Sequence, residues 1–327
     1  MILKEGIYLG DARDLANMLE PESVDLSVWS PPYHVGKSYE RDQSFVEWRS
    51  LLRRTLEAHS IVLKPGAFVA INIADILCFP DSEMPRIMAE NVSQRKRGDI
   101  TREIVLKAMS ENPGKNRRQI AAILGCSEQT VDRRLKGNNI RGGKYKTQTR
   151  VLPVAGILDE YAKEFGLFLY DRRVWVKDAA WENSRWHTMS YRAVDEFEYV
   201  YIFWKPGPTK VDKTRLSKDE WIEWGSRAVW YIPSVRANDN HEAKFPAELP
   251  RRIIRMFSDP GNLVIDPFVG SGTSAIVSAE EGRRFIGIDK ESRFVDMASL
   301  AWSNVKSQRR LLTLLSSSSK EIPGKLA

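Results

Sequence analysis

The run Val264-Ile265-Asp266-Pro267-Phe268-Val269-Gly270-Ser271-Gly272-Thr273-Ser274 constrains the fold more than any other part of the chain. A short apolar strand enters a tight glycine turn, and a helix begins directly after it. Strand, turn and helix in that order are the parts of an open α/β sheet, which binds ligands beyond the carboxyl ends of its strands. Glycines there let the backbone approach a ligand closely. A second strand, Phe285-Ile286-Gly287-Ile288, ends in Asp289, 23 residues after Asp266. An acid at about that spacing can accept hydrogen bonds from ribose hydroxyls. The run is not GxxxxGK[ST], which excludes a P-loop, and not GxGxxG, which weakens a dinucleotide reading. The pattern points to a nucleoside-type cofactor, with a purely structural strand–turn–helix corner as the alternative.

The rest of the chain repeats the alternation. Strands are expected at Ile7–Leu9, Val24–Trp29, Phe68–Ile73, Phe168–Val176 and Glu198–Trp204. Helices are expected at Arg13–Leu19, 44–63, Val154–Phe165, Pro246–Phe257 and Ser274–Glu281. In 44–63 the residues Phe45, Trp48, Leu51, Leu52, Leu56 and Ile61 fall in one helical register. Lys64-Pro65-Gly66 reads as a turn, and Ser217-Lys218-Asp219-Glu220 as a capping box starting a short helix. Residues 307–327 are polar and read as a mobile tail. Strands alternating with helices predict an α/β fold with a doubly wound, mostly parallel sheet.

Composition narrows the class. A chain of 327 residues that is 42% hydrophobic can bury a sizeable core. No apolar run reaches the roughly 18 residues of a membrane span, and the opening MILKEGIYLG lacks a signal-peptide pattern. Two cysteines, Cys78 and Cys126, and four histidines exclude a disulfide scaffold and leave no metal site in view. A cytoplasmic protein without membrane association is expected.

The net charge of +7 is unevenly placed. Residues 86–150 hold sixteen Lys and Arg against six Asp and Glu, so this segment is +10 and the remainder −3. Concentrated basic charge attracts a phosphate backbone. Within it, Ile120, Ile123 and Leu124 share an apolar face, Gly125 can take a turn, Ser127 can cap the next helix, and Val131 and Leu135 point inward. Ile100–Ala108 would supply the preceding helix. The pattern resembles a helix-turn-helix of the winged or recombinase type, whose second helix enters the major groove. Arg117, Arg118, Ser127, Gln129, Thr130, Arg133, Arg134 and Lys136 are the candidate contacts to double-stranded DNA. A three-helix packing module without nucleic acid is the alternative.

Ser30-Pro31-Pro32-Tyr33 follows the strand Val24–Trp29. Two prolines hold the backbone extended and remove two amide donors. The surface then offers acceptors, Ser30 Oγ and the Pro31 carbonyl, beside the flat ring of Tyr33. Acceptors and a π-face suit the exocyclic amino group of a planar base.

Together the two motifs resemble the S-adenosylmethionine-dependent DNA methyltransferases that modify exocyclic amino groups. Ser30–Tyr33 is similar to their catalytic (D/N/S)PP(Y/F/W) motif, and Asp266-Pro267-Phe268-Val269-Gly270-Ser271-Gly272-Thr273 to their cofactor motif. Catalytic motif first and cofactor motif last is the beta order of that family, a circularly permuted Rossmann-like fold. Lys244-Phe245-Pro246 lies in a stretch that resembles the element packing on the methionine end of the cofactor. Val200–Lys205 resembles the late sheet strand. The resemblance implies S-adenosyl-L-methionine as cofactor, with Asp289 on the ribose and Asp11 near the adenine. Asp266, Phe268, Gly270 and Gly272 would shape the methionine pocket, with Ser271 and Thr273 in the same loop. Ser30, Pro31, Pro32 and Tyr33 would be the catalytic residues, acting on a flipped base. Serine at the first catalytic position favours N4 of cytosine over N6 of adenine.

The domain reading that follows is methyltransferase core at 1–85, 147–205 and 243–306, interrupted by a small all-α basic insert at 86–146. A second DNA-reading region is expected at 206–242, with Trp221, Trp224 and Trp230, followed by the tail at 307–327. The tryptophans could equally be core. A restriction endonuclease acting separately is the expected partner activity, and the protein would be a monomer or homodimer. A helix-turn-helix regulator with a nucleotide-sensing domain, and an RNA methyltransferase, are the rival readings.

Overall fold

The computed structural model describes residues 2–33, 43–76, 86–91, 100–135, 143–148, 151–177, 196–235 and 245–318, with backbone alone for 86–91, 143–148 and 310–318. The chain divides into two compact units. Met1–Asp81, Val151–Trp186 and Asp195–Ala327 form the first, and Ser82–Arg150 with His187–Val194 the second. In chain order the strands are β1 Gly6–Leu9, β2 Val24–Trp29, β3 Leu63–Ile73, β4 Arg86–Asn91, β5 Gly143–Gln148, β6 Phe168–Val176, β7 Phe197–Trp204, β8 Val229–Tyr231, β9 Leu263–Asp266 and β10 Arg284–Asp289. The helices are α1 Leu15–Met18, α2 Phe45–Val62, α3 Arg102–Glu111, α4 Arg117–Ile123, α5 Glu128–Leu135, α6 Val154–Glu164, α7 Lys218–Glu220, α8 Glu248–Phe257, α9 Thr273–Glu280 and α10 Ser292–Ser318.

The first unit is built on an eight-stranded sheet in the order β1-β10-β9-β2-β3-β7-β6-β8. From β1 to β3 every pairing is parallel, β7 is antiparallel to both neighbours, and β8 runs parallel to β6. The expected doubly wound, mostly parallel sheet is present. Apolar strand residues such as Leu26, Val28, Ile71, Ile202, Val264 and Phe285 are sealed from solvent, because helices cover the sheet. One consequence of the order fixes the site. After β2 the next parallel strand, β3, lies on one side; after β9 the next, β10, lies on the other. Connections leaving in opposite directions open a crevice at the carboxyl ends of β2 and β9, which is where α/β sheets bind ligands.

Helix α2 shows how local sequence secures one wall. Ser44 and Glu47 form a reciprocal capping box at its start. Phe45, Trp48, Leu51, Leu52 and Leu56 are buried, but Ile61 is 43% exposed and lies off the packed face. The expected turn Lys64-Pro65-Gly66 lies inside β3. Gly66 takes φ +86° and donates to Lys205 O at 2.8 Å, and a Cβ there would sit 2.0 Å from Pro208 O. The tight approach of the 205–208 turn therefore needs glycine. At the other end of the chain, α10 continues to Ser318, so 307–318 are helical; 319–327 lie outside the described residues.

The expected 206–242 recognition region is corrected in part. Val229–Tyr231 forms strand β8, and Trp224 and Trp230 are buried in the main core, 8% and 1% exposed. Arg252 lies over both rings and Arg255 over Trp224. Their large apolar area stabilises the sheet edge and is not offered to a ligand. Trp221 is half-buried and donates to Lys213 O at 2.6 Å. Residues 236–242 lie outside the described residues.

The second unit has a small core of Val105, Ala108, Ile120, Ala121 and Val131 from α3, α4 and α5. Asn116 and Gln119 make a capping box at α4, and Gly125 takes φ +60° in the turn to α5. Ser127 Oγ lies 3.0 Å from Thr130 Oγ1, and its carbonyl accepts from Thr130 N as α5 begins. Three expectations change. Ile123 is 48% exposed, with Ala121 taking the inner position. Arg134, expected outward, is 7% exposed and donates to Ile100 O at 2.6 Å. Nor is the unit purely helical: β4 and β5 pair as an antiparallel ribbon. Its strand signal, Tyr145 and Thr147 alternating with Lys144 and Lys146, is masked in the sequence by the charge.

Candidate active site

Strands β2 and β9 pair in parallel, Ser27 opposite Ile265. Both chains leave the sheet at the same end, one into Ser30–Tyr33 and the other into Pro267–Gly272. The Trp29 and Phe268 rings meet at 5.3 Å, so the two motifs share one wall. Behind Trp29, His59 stacks at 5.6 Å and its Nε2 lies 2.8 Å from Ser27 Oγ. Complete burial pushes the His59 pKa down to about 4, so the ring stays neutral.

The glycine loop is held from beneath. Asp266 is 1% exposed; its carboxylate accepts from Phe268 N at 2.9 Å and from Ser274 Oγ at 2.5 Å. Burial raises its pKa to about 7, against the opposing effect of those bonds. Asp266 therefore organises the loop from inside. Gly272 takes φ +88° as the cap of α9, and a Cβ there would lie 2.9 Å from Ala298 Cα. Val269 N donates to Ile288 O at 3.0 Å, tying the loop to β10.

Asp289 stands at the tip of β10, opposite Leu9 of β1. One oxygen accepts from Gly270 N and the other from Glu291 N, both at 3.0 Å. Each carboxylate oxygen retains a lone pair, and burial raises the group's pKa. Two fixed acceptors side by side fit the vicinal diol of a ribose. Asp11, two residues past β1, caps the next turn and is chelated by Arg13 at 2.8 and 2.6 Å, which holds its pKa down. Phe245 and Pro246 are half-buried before α8, and Phe245 packs on the main core. Ser271 and Thr273 flank Gly272, half-buried. Lys244 lies outside the described residues.

Around Ser30–Tyr33 the structure adds residues that sequence reasoning missed. Trp48 Nε1 donates to Pro32 O at 2.7 Å, fixing the proline turn. Ser30 Oγ donates to Tyr33 Oη at 3.0 Å, and Tyr33 Oη to Glu198 Oε2 at 2.6 Å. Asn72 Nδ2 donates to both Tyr33 Oη and Glu198 Oε2 at 2.6 Å. Lys177 Nζ pairs with Glu198 Oε1 at 2.7 Å. Burial, and then the Glu198 charge, hold the Tyr33 pKa well above the phenol value, so Tyr33 keeps its proton. Asn72 is next to last in β3, Glu198 second in β7 and Lys177 just past β6, so antiparallel pairing brings them to one end of the sheet.

Residues 24–300 match the model of the N6_N4_Mtase family, described as DNA methylase. The chain belongs to this family. It is a DNA methyltransferase. The methyltransferase is 53% identical over 296 residues to Type II methyltransferase M.BglI of Bacillus subtilis, covering 90% of this chain and 85% of that one. Its fold is shared with the Thermus thermophilus protein TTHA0409 complexed with S-adenosyl-L-methionine, at TM-score 0.59 and 22% identity over 92% and 94% of the two chains. It is shared also with the PvuII DNA methyltransferase (cytosine-N4-specific), at TM-score 0.54 and 18% identity over 92% and 87%. Among the described residues no group could hold a metal ion, and no helix is long and apolar enough to cross a membrane.

Proposed function

We propose that the methyltransferase transfers a methyl group to the N4 amino group of cytosine at a specific site in double-stranded DNA. The observation that carries this reading is the contact between Trp29 and Phe268, which sets a serine-led proline turn against the glycine loop at the crevice of β2 and β9. The role we assign is protection of DNA from a separate restriction endonuclease, a reading supported by its likeness to a relative named a Type II methyltransferase.

Bound S-adenosyl-L-methionine supplies an electrophilic methyl group on a sulfonium. Asp289 holds the ribose, and Gly270, Ser271, Gly272 and Thr273 with Phe268 shape the wall beside it. Phe245 and Pro246 close the methionine end, and Asp11 lies toward the adenine. The target base leaves the duplex, since its amino group is otherwise paired. Tyr33 offers its ring face to the base. Ser30 Oγ and the Pro31 carbonyl accept the two N–H bonds of the amino group and align its lone pair with the methyl group. Both acceptors stabilise positive charge as it builds on nitrogen, so positioning and electrostatics supply most of the acceleration.

DNA is first held by the basic unit, read as a helix-turn-helix with α5 as the recognition helix. Arg118 and Gln129 are exposed, Thr130 and Arg133 partly so, while Arg117 is paired with Asp132 at 2.6 Å. Lys136 lies outside the described residues. Nuclease digestion and mass spectrometry of DNA modified by the enzyme test the reaction: N4-methylcytosine supports the reading, and N6-methyladenine overturns the choice of base.

A further inference from the structure

A serine hydroxyl carries one proton and two lone pairs, so a free one reads a carbonyl as readily as an amino group. Ser30 is not free in this sense. Two acceptors face the Tyr33 hydroxyl, the Asn72 backbone carbonyl at 3.3 Å and Glu198 Oε2 at 2.6 Å; the carboxylate, held by Lys177 at 2.7 Å, is nearer and stronger and takes the proton. With that proton committed, the Tyr33 oxygen can only accept. Asn72 Nδ2 at 2.6 Å and Ser30 Oγ at 3.0 Å are its two donors. The Ser30 proton is thereby turned inward, and only lone pairs remain for the crevice.

The Asn72 amide reports the same polarity. Its Oδ1 is buried without a hydrogen-bond partner, while both N–H bonds serve Tyr33 and Glu198. An unsatisfied buried carbonyl is costly, so the orientation is dictated by two strong acceptors on the nitrogen side.

We propose that Glu198, acting through the Tyr33 hydroxyl, makes Ser30 an obligate hydrogen-bond acceptor and so sets the preference of the site for an exocyclic amine over an exocyclic carbonyl. This rests on Ser30 reading the target base, and holds whichever amino base is the substrate. Glu198 is a positioning residue that does not touch the base. The hydroxyl is a feature of this chain, since phenylalanine or tryptophan also satisfies the motif at that place.

The test is a comparison of affinities. Duplexes carry, at the methylated position, either the amino base found by product analysis or its oxo counterpart: cytosine against uracil, or adenine against hypoxanthine. Binding is measured with S-adenosylhomocysteine present. The wild-type enzyme prefers the amino base by about tenfold or more, the worth of one good hydrogen bond. In Glu198→Gln the amide can donate to Tyr33, whose proton then turns back toward Ser30, and the preference falls to about threefold or less. Tyr33→Phe removes the acceptor for the Ser30 proton, keeps the ring, and lowers the preference similarly. The double variant falls no further, because both substitutions break one chain of bonds. Cofactor affinity changes by less than about twofold throughout. A preference that persists in Tyr33→Phe overturns the proposal, even should Glu198→Gln fail to fold. An enzyme that transfers no methyl group to DNA refutes the reaction instead, because the amino-to-oxo binding ratio is read without turnover.

Discussion

The two units handle charge in opposite ways. In the sheet unit, ionisable groups are enclosed and fastened: Asp266 on the loop amide and Ser274, Glu198 among Tyr33, Asn72 and Lys177. Among the described residues of the basic unit, a core of five buried apolar residues carries cations that, Arg134 apart, are largely exposed. Fixed dipoles in an enclosed site lower a barrier, whereas exposed cations attract a polyanion from a distance and lose strength as salt rises. On the proposed reading, chemistry belongs to the first unit and DNA capture to the second.

Ser30→Ala strikes the chemistry hardest. It removes one acceptor for the developing charge, and the single-turnover rate falls about a hundredfold or more, while S-adenosyl-L-methionine affinity measured by calorimetry is retained. An undiminished rate removes Ser30 from the mechanism.

His59 gives the sheet unit a pH signature. Its pKa is about 4 folded against 6.5 for the free side chain, so below 6.5 the unfolded chain binds the extra proton. The stability it contributes is complete above pH 6.5 and is lost as pH falls toward 4, by up to about 3 kcal/mol. Asp266 titrates with the opposite sign, its raised pKa making stability fall as pH rises toward 7. The test is therefore a difference: denaturant unfolding of wild type and His59→Gln converges as pH drops from 6.5 to 4. A constant gap refutes the assignment.

In the basic unit, two neighbouring arginines separate structure from capture. Arg134→Ala loses the buried bond to Ile100 O, destabilises the unit by about 2 kcal/mol in thermal unfolding, and leaves the salt dependence of duplex binding unchanged at temperatures where the unit is folded. Arg118→Ala with Arg133→Ala leaves stability within about 0.5 kcal/mol. It weakens duplex binding several-fold and lowers the slope of log affinity against log salt by about 2. Exchanged outcomes would place Arg134 at the DNA and the other two in the fold.

Much of this was legible because it is local. Ser30–Tyr33 and Asp266–Thr273 are contiguous, and each carries its own backbone constraint in proline or glycine. The strands flanking them were readable from apolar runs. The Glu198 network was not, because Asn72 is on β3, Glu198 on β7 and Lys177 just past β6, and they meet only through the pairings of β3 with β7 and β6 with β7. Arg134 was misplaced because counting charges assumes that each is solvated, whereas its guanidinium reaches a buried carbonyl. Trp230 was ambiguous because strand β8 is three residues long, and Trp224 because it stands in a single helical turn, Trp221–Gly225; neither element has a periodicity to read.

The division of labour is tested most directly by single-turnover methyl transfer at saturating duplex and S-adenosyl-L-methionine, comparing Ser30→Ala with the Arg118→Ala, Arg133→Ala variant. The account predicts that the serine variant stays slow at any DNA concentration, while the arginine variant recovers the wild-type rate once the duplex saturates. A serine variant restored by more DNA, or an arginine variant still slow at saturation, would contradict it.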